Sequence, residues 1–358
     1  MTIHLSQSDV RDGTGVRREV LIENRSERIK LFYKVDNAAL SDSMNSAVIA
    51  SVFKAMSEKK DVVVHGAVSK TLLENIDDFQ DAWSSWMPQY SRVTFSAEKE
   101  LTDPSTGDRR SILAFSGGVD ATFSLWRHTR SLSRHKTNMH SALLVHGFDL
   151  PLNGVDVFKT ARDSAEKIAN DAGVALKTIE TNVRSTGLAE RWPYTYIPAL
   201  ASCLHLFDAA HDVGIIGSDE PYSALVIPWG SNPITNHLLS SGRFQVKYDS
   251  GGYTRTQKVR VLSEWPTAME NLRVCWEGPK TGKNCGRCEK CIRTILNFRA
   301  IGVEKPACFE ADVTNEMIRS VRLTNKIQRS FMLDIISEAR KSGVSGDWLE
   351  TLKGLVGS

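Results

Sequence analysis

No stretch of this 358-residue chain reaches the ~18 consecutive apolar residues of a membrane span. Its opening, "MTIHLSQSDVRDG", has no apolar core of the kind that marks a secretory signal. Together these absences set the expectation of a cytoplasmic protein with no membrane partner. An excess of charge is lacking too: 45 lysines and arginines against 42 aspartates and glutamates leave a formal +3. That is too slight to point to nucleic acid, which is not expected as a partner. Internal repeats and low-complexity tracts are absent. His146, His205, His211 and His237 are scattered, and no pair of them has ligand spacing. Cysteines number only six, and in a cytoplasmic chain they suggest metal or redox chemistry before disulfides. Four of the six fall between 275 and 291.

The length allows two domains of ordinary size, and 41% hydrophobic residues are enough for globular cores. "RREVLIENRS" and "ERIKLFYKVD" read as strands. "SDSMNSAVIASVFKAMSEK" and "KTLLENIDDFQDAWSSWM" read as helices, with the buried strand "DVVVHGAV" between them. The polar segment "AEKELTDPSTGDRRS" (97–111) reads as a linker, with a boundary near residue 108. Strands and helices then alternate: "SILAF", a helix over 119–131, "SALLVHGF", a helix placing Val157, Ala161, Ala165, Ile168 and Ala169 on one face, "ALKTIETN", "IPALASCLHLFDAAHD" and "VGIIGS". Such alternation implies a parallel sheet covered on both faces. The expected organisation is an α/β chain with a doubly wound parallel sheet over 109–270. An α+β region of unknown role (1–108) precedes it, and a mainly helical segment with a metal site (271–358) follows.

The first of these strands runs into "FSGGVDAT" (115–122) and then at once into a helix. Ligands of parallel α/β sheets bind beyond the carboxyl ends of strands. Successive backbone N–H groups at the positive end of a helix there form a receptacle for phosphate. Gly117 and Gly118 let a phosphate approach without a Cβ in the way, and Ser116 and Thr122 add hydroxyls. Asp120 would repel a phosphate, so it is expected to orient the loop or to reach a Mg²⁺. The Walker pattern, the dinucleotide G-x-G-x-x-G and the nucleophile elbow are all absent.

"CWEGPKTGKNCGRCEKC" offers Cys275, Cys285, Cys288 and Cys291, spaced to wrap one tetrahedral ion. Gly286 permits a tight turn, and Lys280, Lys283, Arg287 and Lys290 are placed to offset thiolate charge. A closed four-cysteine zinc site would be structural; four thiolates also suit an iron–sulfur cluster. Cys203, in an apolar helix, is expected to be a buried, inert thiol.

The Ser116-Gly117-Gly118-Val119-Asp120 loop resembles that of the PP-loop ATP pyrophosphatases, with Ala121 where that superfamily usually has Ser or Thr. The loop together with C-x9-C-G-x-C-x-x-C resembles 7-cyano-7-deazaguanine synthase and its diverged relatives over residues 112–300. The resemblance implies an adenine nucleotide alpha hydrolase-like fold and an ATP-dependent, carbon–nitrogen bond-forming ligase. Such an enzyme activates a carboxylate of a deazapurine, releases pyrophosphate, and lets ammonia or an amine displace AMP. ATP, Mg²⁺ and Zn²⁺ are the implied cofactors, and relatives in antiphage islands extend the acceptor to a protein. The resemblance places Phe115, Ser116, Gly117, Gly118, Val119, Asp120, Ala121 and Thr122 on the ATP phosphates, with His146 beside the nucleotide at the end of "LLVH". It gives catalytic roles to Asp120, Ser116 and Lys258, the last in the basic segment "YTRTQKV". Departures are the 110 or so residues before the loop and the segment "GSDEPYSALVIPWGSNP", which does not match the synthase.

Substrate choice is expected in the loops after the third and fourth strands. Tyr194, Tyr196 and Trp229 would supply aromatic faces there, and Asp219 and Glu220 would accept from a planar, donor-rich base. No G-x-C-x-G glutaminase signature is present, so ammonia would come from outside. The alternatives are a tRNA sulfurtransferase, a non-catalytic nucleotide-sensing module, and, for assembly, a homodimer.

Overall fold

Period-two burial builds the second and third strands of the computed structural model, which describes residues 2–357 apart from 14, 37–38, 103–106, 108–109, 133, 135, 276 and 280. β1 (Ile3–Asp12), β2 (Gly15–Glu23) and β3 (Arg28–Asp36) form an antiparallel meander. Val20, Ile22, Ile29, Leu31, Tyr33 and Val35 all point to one face. α1 (Asn45–Glu58) covers that face, and α2 (Lys70–Trp86) crosses between β4 (Val62–Ser69) and β5 (Phe95–Leu101). Phe53 of α1 packs edge-on against Phe79 and Trp83 of α2, with ring centroids 5.5 and 4.8 Å apart.

The strand β5 takes the first residues of the segment read as a linker. It pairs parallel with β4 and closes one edge of the sheet. Glu98, Lys99 and Glu100 are exposed along it. Charge is what an edge strand carries to discourage further pairing, and it made the segment read as loop. The boundary near residue 108 lies outside the described residues.

The second half alternates as expected: β6 (Arg110–Ala114), α3 (Val119–Thr129), β7 (Asn138–His146), α4 (Val155–Asp171), β8 (Ala175–Thr181), α5 (Trp192–His205) and β9 (Val213–Gly217). β10 (Gln245–Asp249) follows, then α6 (Arg255–Leu262) and α7 (Pro266–Asn271). The C-terminal part holds α8 (Glu289–Arg299), α9 (Asn315–Ser320), α10 (Lys326–Lys341) and α11 (Asp347–Gly357), which enclose their own apolar cluster around Ile295, Ile318, Ile335 and Leu352.

The ten strands of the described residues form one mostly parallel sheet, in the order β10-β9-β6-β7-β8-β3-β2-β1-β4-β5. β8 joins the meander antiparallel, with Tyr33 opposite Thr181 and Val35 opposite Ile179. The N-terminal strands therefore extend the same sheet as the parallel strands. From β6 the chain moves outward through β7 and β8, then returns to lay β9 and β10 on the other side of β6. The reversal leaves a crevice between the carboxyl ends of β6 and β9, the usual ligand position in a doubly wound sheet. Among the described residues, no helix is long and apolar enough to cross a membrane.

Candidate functional site

Beyond the carboxyl ends of β6 and β9 lies a cavity of about 560 Å³. Its floor is the turn 115–118. Gly117 has φ +73°, a conformation that favours glycine, and this bend delivers the chain into α3. Gly118 is the N-cap of that helix, and no side chain caps it. Ser116 Oγ accepts only from Gly118 N, at 3.3 Å, and the serine remains exposed at the cavity. An uncapped first turn leaves its N–H groups facing the crevice. On the other side of the crevice, a Cβ at Gly217 would sit 2.8 Å from the Asp120 carbonyl oxygen, so glycine there lets the end of β9 close on α3.

Asp120 projects from the first turn of α3 and is gripped by two cations of α6. Arg255 Nη1 donates to Oδ2 at 2.5 Å and Lys258 Nζ donates to Oδ1 at 3.0 Å. Arg255 and Lys258 stand three apart, on one side of their helix. Burial alone would push the Asp120 pKa up, but Arg255 and then Lys258 reverse this and hold the carboxyl well below the usual carboxylate range. The carboxylate thus ties the first turn of α3 to α6. Lys258 lies beneath the cavity, spending its other hydrogen bonds on the backbone and side-chain oxygens of Ser218.

Three cations around this point lack full partners. Arg255 keeps Nε and Nη2 buried without a hydrogen bond. Arg273 is 7% exposed as a residue, and its guanidinium makes no hydrogen bond or ion pair with any described residue. Lys290, on α8, lines the cavity in the same condition, its pKa drawn down by burial and then by Arg255. Arg293, one turn along, is occupied by Glu289 at 2.7 Å and lies over the Phe331 ring. Unpaired charge under a protein surface is costly unless an anion arrives to meet it. The same lining also carries carboxylates, Asp149, Asp219, Glu220, Glu277 and Glu289 besides Asp120.

The aromatic wall comes from α5, where Trp192, Pro193, Tyr196, Ile197 and Leu200 all face the cavity. Tyr196 OH donates to Asp219 Oδ2. Glu220 is 1% exposed: its Oε2 accepts from Val226 N at 2.9 Å, and its Oε1 has no partner. Burial first, then the neighbouring Asp219, raises the Glu220 pKa to about 7 against the pull of the Val226 hydrogen bond. Trp229 also lines the cavity, with its ring N–H buried and unpartnered.

Of the residues expected at the site, Phe115, Ser116, Gly118, Asp120, Ala121, Tyr196, Asp219, Glu220 and Trp229 line this cavity. Other expected residues do not reach it. Thr122 is fully buried and its hydroxyl is unpartnered, because two positions beyond Asp120 is a rotation of about 200° around the helix. The same geometry separates Tyr194 from Tyr196, and Tyr194 packs against Trp83 of α2 instead. Val119 belongs to the apolar core. Gly117 turns the loop without lining the cavity. His146 is buried, stacked on Phe158 at 4.1 Å, with Nε2 3.0 Å from the Pro151 carbonyl. Conversely, Arg255, Arg273, Lys290 and Arg293 were not anticipated at the cavity. Arg255 stands inside the quoted "YTRTQKV"; the others are single charges beside or between the cysteines.

Those cysteines converge. The Sγ atoms of Cys275, Cys285, Cys288 and Cys291 all lie within 4.8 Å of one another, with 275–288 at 3.9 Å and 285–291 at 3.8 Å. A tetrahedron with Zn–S bonds of about 2.3 Å has edges of about 3.8 Å, so the four thiols are spaced to hold one ion such as zinc. An iron–sulfur cluster, which sits between its ligands, needs them farther apart. Asn284 ties the two ligand segments together: Oδ1 accepts from Val274 N at 2.8 Å, and Nδ2 donates to the carbonyls of Leu272 and Cys308 at 2.8 and 2.9 Å. Of the cations expected to offset the thiolates, Lys283 pairs with Glu310 at the surface, Arg287 is exposed, and Lys290 turns to the cavity. Lys280 lies outside the described residues. Cys203 is buried, and burial raises its pKa, which makes it inert.

Compared with family models, curated proteins and solved structures, the chain matches none.

Proposed function

We propose that this cavity binds ATP and that the protein is a ligase forming AMP and pyrophosphate. The observation that carries the reading is the cluster of incompletely paired cations, buried Arg255 and Arg273 with half-buried Lys290, around an uncapped helix N-terminus at the switch point of the sheet. The backbone of 116–120 takes phosphate oxygens, with Ser116 adding its hydroxyl. Arg255, Arg273 and Lys290 counter the charge that gathers on the departing pyrophosphate, and Asp120 keeps Arg255 and Lys258 aimed. With no Walker lysine to serve a γ-transfer, cleavage is assigned to the α-phosphate. A carboxylate or carbonyl oxygen of the acceptor attacks that phosphorus; the bond to the β-phosphate oxygen breaks and pyrophosphate leaves. Ammonia or an amine then attacks the acyl carbon and AMP departs, taking the electron pair of the carbon–oxygen bond.

The wall of Tyr196 and Trp229, with acceptors on Asp219 and Glu220, fits a planar acceptor rich in N–H groups, such as a deazapurine carboxylate. Asp120 is engaged with two cations, so a Mg²⁺ would enter with the triphosphate and neutralise its oxygens. The cysteine ion is zinc in a closed, structural site. Incubation with labelled ATP and candidate deazapurine carboxylates, followed by chromatography and mass spectrometry, tests the reading. AMP, pyrophosphate and an amide or nitrile product are expected; ADP as the sole nucleotide product would overturn it.

A further inference from the structure

Two of the three incompletely paired cations are contributed by the segments that carry the cysteines. Arg273 lies two residues before Cys275, and Lys290 stands between Cys288 and Cys291. The link is not only one of sequence. Arg273 N donates to the Gly117 carbonyl at 2.9 Å, joining the segment that leads into Cys275 directly to the 115–118 turn. A Cβ at Gly118 would lie 3.6 Å from the Arg273 carbonyl oxygen, so the two backbones run in contact. Cys288 is the N-cap of α8, and the helix begins at Glu289, so Lys290 is fixed by wherever Cys288 and Cys291 are held. The cation-bearing backbones are therefore the ligand-bearing backbones, and they meet at the Cys275–Cys288 approach of 3.9 Å.

Neither side chain has a hydrogen-bond or ion-pair partner among the described residues: Asp149 attracts both only at longer range, and Arg255 opposes Lys290. Their positions are set by the backbones that carry them. We propose that a metal ion on Cys275, Cys285, Cys288 and Cys291 is a positioning element for the anion cavity, holding Arg273 and Lys290 at the 116–118 turn, so that metal and polyphosphate bind with positive cooperativity. The inference rests on the reading of the cavity as a polyphosphate site. Because binding coupling is reciprocal, whatever the metal adds to anion affinity the anion returns as metal retention. A closed site on the far side of the molecule would show no such exchange.

Inorganic pyrophosphate is the probe, and the full-length protein purified with its metal is the sample. Calorimetry first measures pyrophosphate affinity; release of the metal to a chromogenic chelator is then timed with and without saturating pyrophosphate. The expected result is a several-fold slower release in its presence. Lys290→Met should keep full metal content, bind pyrophosphate at least tenfold more weakly, and lose the protection. That variant removes no ligand, so it separates coupling from misfolding, which Cys288→Ser alone would not. If wild type binds pyrophosphate but releases metal at an unchanged rate, the coupling is wrong while the cavity reading stands. If the metal-loaded protein binds no pyrophosphate, the cavity reading falls and takes the coupling with it.

Discussion

Arg18 and Arg273 are both buried arginines, at 2% and 7% exposure, and the chain treats them in opposite ways. Arg18, in the N-terminal meander, is fully engaged. Nε and Nη2 each donate to an Asp9 carboxylate oxygen at 2.7 Å, and Nη1 donates to the Ser41 carbonyl. Arg273, at the carboxyl edge of the parallel strands, has no side-chain partner among the described residues. The first arrangement fastens a strand to the loop before α1 and leaves nothing for a ligand to do. The second leaves a charge waiting. One sheet thus carries a half in which buried charge is spent on the fold and a half in which it is reserved. The reserved charge marks where function is to be sought.

The largest effect should come from Asp120, the carboxylate that pairs with both Arg255 and Lys258. Asp120→Ala leaves Arg255 and Lys258 facing each other with no counter-charge. Removing one partner of a buried ion pair costs about 3–5 kcal/mol, which should appear as a lower midpoint in urea. Turnover of ATP should fall by on the order of 10²–10³, the scale for loss of a preorganised electrostatic element. Unchanged turnover in folded protein would remove Asp120 from the site.

Next come the two arginines, measured side by side by urea unfolding without ligand. Arg18→Met should destabilise by about 2–3 kcal/mol, since charge-assisted hydrogen bonds are lost while the volume stays filled. Arg273→Met should do the reverse: relieving an unpaired buried charge should leave stability unchanged or raised by about 1 kcal/mol. Pyrophosphate affinity should follow the opposite ranking, unaffected in the first variant and ten- to a hundredfold weaker in the second. Equal destabilisation by both would show that Arg273 is a structural residue and dissolve the contrast.

Much of this was legible before the fold was. The strands whose alternation has an apolar phase, such as "ERIKLFYKVD" and "VGIIGS", stand where the pattern put them. The turn at Ser116 and the four cysteines are local signals, carried by residues adjacent or nearly so in sequence. What escaped was of two kinds. β1, β5 and β10 bury few side chains each, so their polar faces drowned the period. Thr122 and Tyr194 failed for a simpler reason: a residue near a site in sequence is on the wrong side of a helix two positions later. The cations at 255, 273 and 290 could not be found by spacing, because their convergence is a product of tertiary structure. Asking which charges near the cysteines lack a local partner would have drawn attention to Arg273 and Lys290.

The smallest expected effect sharpens the comparison on the acidic side. Glu220 is the carboxylate counterpart of Arg273, buried at the cavity with one oxygen unpartnered, and its folded pKa lies at about 7 where an ordinary glutamate titrates at 4.5. Below pH 4.5 the group is protonated folded and unfolded, so it contributes nothing to any difference with pH. Between 4.5 and 7 the unfolded chain has released the proton that the folded chain retains, so the unfolded state binds fewer protons and stability falls as pH rises. Above 7 the loss is complete and constant. Glu220→Gln removes the titration and keeps an acceptor for Val226 N. Wild type should therefore lose on the order of 1–2 kcal/mol relative to this variant between pH 5 and pH 8, read from urea midpoints at each pH. In saturating ATP and acceptor, a bound N–H donor would favour the charged carboxylate and shrink that difference. A difference that persists undiminished would place Glu220 outside the substrate contacts and leave it, like Arg18, to the fold.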